Sequence, residues 1–271
     1  MASNHISVYI LAGGKSSRMG SDKGLLPLGD KKIVQHVIQA LIPLSENIFI
    51  VTSNKAYETF GLELVPDVFH NIGPAGGIHA ALKHCKTQTL FICSCDTPFI
   101  SAEAARFLIN ESQEHQITVP VIETKLEPLF GVYNTNILNR WEEAIAGNTY
   151  KLQNLFTLFN TRELSVDKNP VFSKHLFTNI NTVADLDKAL QNKKATMRVL
   201  LFGQITDVFG CSEIEVACKN DTDSLNQFLQ SLYPSLKPLS YRIAVNKKIT
   251  SSNTPLNSGD EVALLPAFSG G

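Results

Sequence analysis

The chain has 271 residues, 44% of them hydrophobic and 18% charged, with 24 basic and 25 acidic side chains and a formal net charge of -1. That balance excludes a chain-wide basic surface for nucleic acid or membrane, so any cationic site must be local. The length exceeds one typical domain and suggests two, each with room for a core.

Residues 6–11 form an apolar, β-rich run bounded by glycine, which predicts a buried strand. It feeds a loop containing Gly13, Gly14, Ser17, Arg18, Gly20, Asp22 and Lys23. At the carboxyl end of a strand, such glycines let backbone approach phosphates, while Arg18 and Lys23 supply countercharge. A Walker A loop is excluded because Ser21 follows Gly20, and no G-x-G-x-x-G occurs here. Helical spacing follows at residues 33–42, ended by Pro43, and a second strand at 48–52. Asn54 comes next, either a nucleotide contact or a plain turn asparagine. A third strand at 63–66 leads to Asp67, then to the turn-rich stretch 71–77 with Gly76, and to a helix at 78–82. A carboxylate at that point accepts from guanine N–H groups or ribose hydroxyls, or initiates a turn.

The most hydrophobic strand of this half, 89–94, ends in Cys95-Asp96-Thr97-Pro98. Mg²⁺ is held by one or two carboxylates plus substrate phosphates, and Asp96 is placed for this; the competing reading is a helix cap. The five cysteines include Cys93 and Cys95, whose spacing suits neither a zinc pair nor a redox motif, so they read as reduced core thiols. His36, His70, His79 and His84 show no metal-ligand spacing. A strand at 117–121, a segment at 127–133, and helical spacing at 137–145 with Trp141 in the core complete the alternation, which predicts α/β. Neither a charged leader with a long apolar segment nor a membrane span is read in the sequence, and a cytoplasmic protein is expected.

Leu11-Ala12-Gly13-Gly14, Ser17-Arg18-Met19-Gly20 and Asp22-Lys23 together resemble the signature of the MobA-type molybdenum cofactor guanylyltransferases. Asp67 followed by Gly73-Pro74-Ala75-Gly76-Gly77, and Asp96-Thr97-Pro98, resemble that family's later motifs. The resemblance implies a Rossmann-like, three-layer αβα nucleotidyltransferase domain at 1–190. It implies GTP binding by Leu11, Ala12, Gly13, Gly14, Arg18, Lys23, Asn54, Asp67, Gly76 and Asp96. Catalysis would fall to Arg18, Lys23 and Asp96, with Mg²⁺ on Asp96. Residues 127–133 look like the acceptor-lining segment, and Asn179 and Asn181 like acceptor-site residues or helix caps, although Val183 stands where the family has proline.

A polar stretch at 191–196 reads as a linker. Beyond it, strands at 198–203 and 214–218, a helix with Ser224, Leu225, Phe228, Leu229 and Leu232, and strands at 243–246 and 261–265 give the element order of a β-grasp domain over 197–271. The segment ends Pro266-Ala267-Phe268-Ser269-Gly270-Gly271. Two terminal glycines arise by chance in about one chain in two hundred. Without side chains they can thread a narrow channel and present a carboxylate for adenylation. This half resembles MoaD, the small sulfur-carrier subunit of molybdopterin synthase.

The two resemblances imply a bifunctional molybdenum cofactor biosynthesis protein. One half would join GMP from GTP to molybdopterin, and the other would carry sulfur on Gly271 as a thiocarboxylate. Implied partners are the synthase's large subunit and a MoeB-type adenylating enzyme. Alternatives are a cytidylyl or sugar-phosphate nucleotidyltransferase, a non-catalytic carrier with an inactive first half, and a tail used for conjugation as in ubiquitin.

Overall fold

A computed structural model describes residues 6–13, 22–69, 71–167, 169, 171–172, 176–178, 196–257 and 259–267. The chain divides into two compact units, Met1–Leu186 and Asp187–Gly271.

The first unit opens with β1 (Ser7–Leu11), a 3-10 turn (Lys23–Leu25), the hairpin of β2 (Pro27–Leu28) and β3 (Lys31–Lys32), and α1 (Ile33–Leu41). It continues with β4 (Ile48–Val51), a 3-10 helix (Lys55–Phe60), β5 (Glu63–Val65), α2 (Pro74–His84), β6 (Thr89–Ser94) and α3 (Ala102–Glu111). Then come β7 (Ile117–Ile122), β8 (Lys125–Leu126), β9 (Phe130–Asn134), α4 (Leu138–Ala146), α5 (Leu152–Phe156) and β10 (Thr161–Ser165).

The main sheet has the order β10-β7-β9-β6-β1-β4-β5, with β8 beside β7. β5, β4, β1 and β6 run parallel, while β9 is antiparallel to both β6 and β7. The two-residue period of β1 sends Val8 and Ile10 into one core and Tyr9 and Leu11 into another. The first core receives Val34, Val37 and Leu41 of α1 and Ala104, Ala105 and Leu108 of α3. The second receives Ile78 of α2, Trp141 of α4 and Leu155 of α5. Helices therefore cover both faces, the expected three-layer α/β arrangement.

Two differences from the predicted elements have local causes. α2 starts at Pro74 rather than 78, because proline at its first turn presets φ after Gly73, whose φ is 68°. β10 was not predicted: Thr161-Arg162-Glu163-Leu164-Ser165 is a polar edge strand without a clean apolar alternation.

Strand order fixes where a site belongs. From β1 the chain steps out to β4 and β5 on one side, then crosses to β6 on the other. This leaves a crevice at the carboxyl end of β1, the place where open α/β sheets bind ligands.

The second unit comprises β11 (Thr196–Leu201), α6 (Gln204–Phe209), β12 (Glu213–Ala217), α7 (Thr222–Leu232), β13 (Tyr241–Val245), β14 (Lys248–Ile249) and β15 (Glu261–Pro266). Its sheet order is β12-β11-β15-β13-β14, with β11 and β15 parallel at the centre. Met197, Val199, Leu201, Val262 and Leu264 face Leu225 and Leu229 of α7 in one core. A mixed sheet packed on one principal helix is the β-grasp arrangement. α6 was not predicted; it starts after Gly203 at φ 57° and stops at Gly210 at φ 70°. α7 begins two residues before Ser224, because Asp221 is its cap and accepts from the Ser224 N–H at 2.7 Å.

Candidate active site

Four loops converge on the carboxyl edge, those after β1, β4, β5 and β6. Leu11 and Ala12 are buried at the end of β1, and Gly13 is exposed beyond them. Hydrogen bonds continue past the strand: Ala12 N–H donates to Val51 O at 2.9 Å, and Cys95 N–H to Leu11 O at 3.1 Å. The ends of β1, β4 and β6 are thereby tied into one rim.

Lys23 opens the 3-10 turn that Asp22 caps. Its ammonium stands 3.7 Å from Asp96 Oδ2, with the side chains 26% and 16% exposed. The other Asp96 oxygen accepts from the Ser94 hydroxyl. Asp96 does not cap the helix that follows; Ser101 does, accepting from Ala104 N–H at 3.2 Å.

The Asp22 carboxylate is held by three donors from two loops. Its Oδ1 accepts from the Tyr57 hydroxyl at 2.6 Å and from Gly24 N–H at 3.2 Å, and its Oδ2 from Asn54 Nδ2 at 3.0 Å. Asn54 Oδ1 accepts from Ala56 N–H at 3.0 Å, so both ends of that amide meet protein groups. Gly24 is required for this packing: a Cβ there would lie 2.3 Å from the Tyr57 hydroxyl and 3.1 Å from Cys95 Sγ. Burial pushes the Cys95 thiol up to about 12, with Asp96 and then Asp22 adding to it, which keeps it neutral. The Tyr57 hydroxyl is raised too, first by burial, then by Cys95 and Asp22.

Asp67 follows β5 and accepts from Phe69 N–H at 3.0 Å. Both its oxygens lie against the start of α2, 2.9 and 3.0 Å from where a Cβ on Gly76 would sit, and Phe69 O would be 2.6 Å away. Gly76 thus has no room for a side chain, and the carboxylate meets backbone at a helix N-terminus.

Lys23, Asp96, Asp67, Gly76, Asn54, Leu11, Ala12 and Gly13 therefore share one rim of the sheet. Gly14, Arg18, Asn179, Asn181 and Gly271 lie outside the described residues. The predicted acceptor segment runs into β9 beside β6, where Ser94 N–H donates to Leu129 O at 3.1 Å. Sequence reasoning missed Tyr57 and Ser94. Ser94 carries a weak signal, being the last residue of β6 and two residues before Asp96; Tyr57 carries none, because its partner is 35 residues away.

A glycine-bearing rim with a lysine at the switch point of the parallel part of the sheet, flanked by carboxylates from neighbouring strands, is the arrangement of a nucleotide-binding α/β enzyme. Residues 8–163 match the MobA-like NTP transferase domain model, and residues 199–271 match the ThiS family. A Flavobacterium johnsoniae protein named "Probable molybdenum cofactor guanylyltransferase" is 39% identical over 183 residues, 67% of this chain and 95% of that protein. A Carboxydothermus hydrogenoformans protein of the same name is 33% identical, covering 69% of this chain and 96% of that one. The crystal structure of molybdopterin-guanine dinucleotide biosynthesis protein A from Archaeoglobus fulgidus matches with a TM-score of 0.60 at 27% identity, over 69% of this chain and 97% of that one. The fold alone is shared with 4-diphosphocytidyl-2C-methyl-D-erythritol synthase from Anaerococcus prevotii, at 12% identity and a TM-score of 0.56. The chain belongs to the MobA-like NTP transferase family and carries a ThiS-family sulfur-carrier domain after it. No helix among the described residues is long and apolar enough to cross a membrane.

Proposed function

We propose that the first unit transfers GMP from GTP to molybdopterin and that the second donates sulfur, as a Gly271 thiocarboxylate, to a molybdopterin synthase formed with a separate large subunit. The observation that carries the first half is the Lys23–Asp96 pair at 3.7 Å on the switch-point rim, with Asp67 against Gly76 two strands away. An oxygen of the pterin's terminal phosphate attacks the α-phosphorus of GTP, the α–β bridging bond breaks, and pyrophosphate leaves. The nucleophile is already anionic, so no general base is required. Catalysis comes from in-line positioning and from charge neutralisation by Lys23 and Arg18. Asp67 accepts from the guanine N1–H and N2–H edge, which sets the base preference.

Mg²⁺ fits the residues present. Among the described residues no three His, Cys, Asp or Glu side chains converge, so no all-protein cage is built there. A single carboxylate such as Asp96, oriented by Ser94 and completed by substrate phosphates, is the arrangement Mg²⁺ prefers. When bound, the ion would neutralise charge on the phosphate oxygens.

The second half of the proposal rests on the ThiS-family match through residue 271, with a MoeB-type enzyme supplying the adenylation. The discriminating experiment is pyrophosphate release from Mg²⁺-GTP, CTP and UTP, each with and without molybdopterin. Release with GTP alone, dependent on the pterin, is expected; equal release with CTP would move the chain to the cytidylyl branch. Intact-mass spectrometry after incubation with an adenylating enzyme and a sulfur donor is expected to show one oxygen replaced by sulfur at the terminus.

A further inference from the structure

We propose that Tyr57 is a positioning residue that holds Lys23 in register with Asp96, acting through Asp22 and Gly24; this rests on the transferase reading of the same rim. Tyr57 lies in the 3-10 helix after β4, with no exposed surface and its ring packed edge-on to Phe60 at 5.8 Å. Its hydroxyl has one strong acceptor, Asp22 Oδ1 at 2.6 Å. The Cys95 sulfur, 4.0 Å away, is a weak and distant acceptor, so the phenolic proton points to Asp22. On the other side of Lys23, the Cα of Gly24 abuts the same hydroxyl so closely that a methyl group would stand 2.3 Å from it. The residues before and after Lys23 are thus both fixed by one buried oxygen. The backbone between them has little freedom, and the direction in which the lysine leaves it is set.

Cys95 extends the argument to the third loop. Its side chain packs on Gly24, and the next residue is Asp96. Tyr57 therefore stands at the point where the loops after β1, β4 and β6 meet, and the Lys23–Asp96 spacing is a property of that junction. Asn54 adds the second clamp, on Asp22 Oδ2. Charge stabilisation in a transferase of this kind depends on the donor being in place before the leaving group develops charge. A displaced Lys23 is then expected to slow turnover more than it weakens substrate binding.

The test uses the full chain in four forms: wild type, Tyr57→Phe, Lys23→Ala and the double variant. Loss of one hydrogen bond to a charged acceptor predicts about a tenfold drop in kcat for Tyr57→Phe, with KM for GTP within about twofold. Because Tyr57 acts through Lys23, the double variant is expected to be no slower than Lys23→Ala alone. Multiplicative losses, or an unchanged kcat in Tyr57→Phe, would overturn the proposal, since a purely structural tyrosine gives one or the other. A second readout needs no nucleotide: acetylation of Lys23 by limiting acetic anhydride, with acetate leaving, followed by peptide mass spectrometry. Tyr57→Phe is expected to raise that rate severalfold, and equal rates would also overturn the proposal. If wild-type protein turns over no nucleotide, the transferase reading has failed, and the acetylation rates still decide the role of Tyr57.

Discussion

The two edges of the main sheet are built from the same strands and differ in what their polar groups are for. At the amino edge, Tyr9 and His84 share a hydrogen bond at 3.0 Å, His84 reaches Glu63 at 3.2 Å, and Thr87 links Ser7 and the Thr89 carbonyl at 3.1 and 2.7 Å. These two sets of hydrogen bonds pin the end of α2 and the turn after it to the sheet. At the carboxyl edge, three carboxylates and a lysine come from three loops, around Gly24 and Gly76, which have no room for side chains. Like charges gathered at a strand terminus do not improve packing; they are tolerated where a ligand uses them. The comparison teaches that a polar cluster is assigned by its composition and its place in the topology, not by its number of hydrogen bonds.

The largest separation between the edges is expected from Asp96→Ala. It should lower GTP-dependent pyrophosphate release by about 10³-fold or more, while the amide spectrum of the second unit stays unchanged. Lys23→Ala follows, at about 10²-fold in kcat, because it removes one preorganised cation. Retained turnover in either variant would remove that residue from the mechanism. At the opposite edge, Tyr9→Phe should cost about 1 kcal/mol in denaturant unfolding and leave kcat unaltered, since it breaks a hydrogen bond remote from the rim. A loss of turnover there would erase the distinction drawn above.

The smallest effect concerns α2, which joins the two edges. Glu142 is held below its ordinary value of 4.5, first by the hydrogen bond from His79 at 2.8 Å and then by Lys83. A depressed carboxylate contributes stability that is present above its unfolded value and lost as pH falls through the lower folded value. Wild type and Glu142→Gln should therefore differ slightly in urea midpoint at neutral pH, begin to converge as pH falls past 4.5, and coincide below the lower folded value. Divergence on acidification would reverse the sign and refute the pairing.

Much of the carboxyl edge was legible because its signals are local. A strand followed at once by glycines and cations, or ended by an acid and a proline, marks its own carboxyl end, and the places of Gly13, Lys23 and Asp96 on that edge could be read that way. What escaped depends on contacts distant in sequence or on short elements. The Tyr57–Asp22 bond joins residues 35 apart through a 3-10 helix, which has no apolar period to reveal it. β10 pairs by backbone at a polar edge, and α6 is six residues long between two left-handed glycines. The start of α7 is ambiguous in the sequence because Ser224 and Asp221 are both good capping residues, and only geometry shows that the aspartate does it.

The most direct test of the central claim follows the α-phosphate. Wild-type protein is incubated with Mg²⁺ and molybdopterin, and with either GTP or CTP labelled at the α-phosphorus, and the pterin is then isolated. The account predicts that label moves onto the pterin from GTP and not from CTP, with pyrophosphate released alongside. Label appearing equally from both nucleotides, or no transfer from GTP by folded protein, would contradict it.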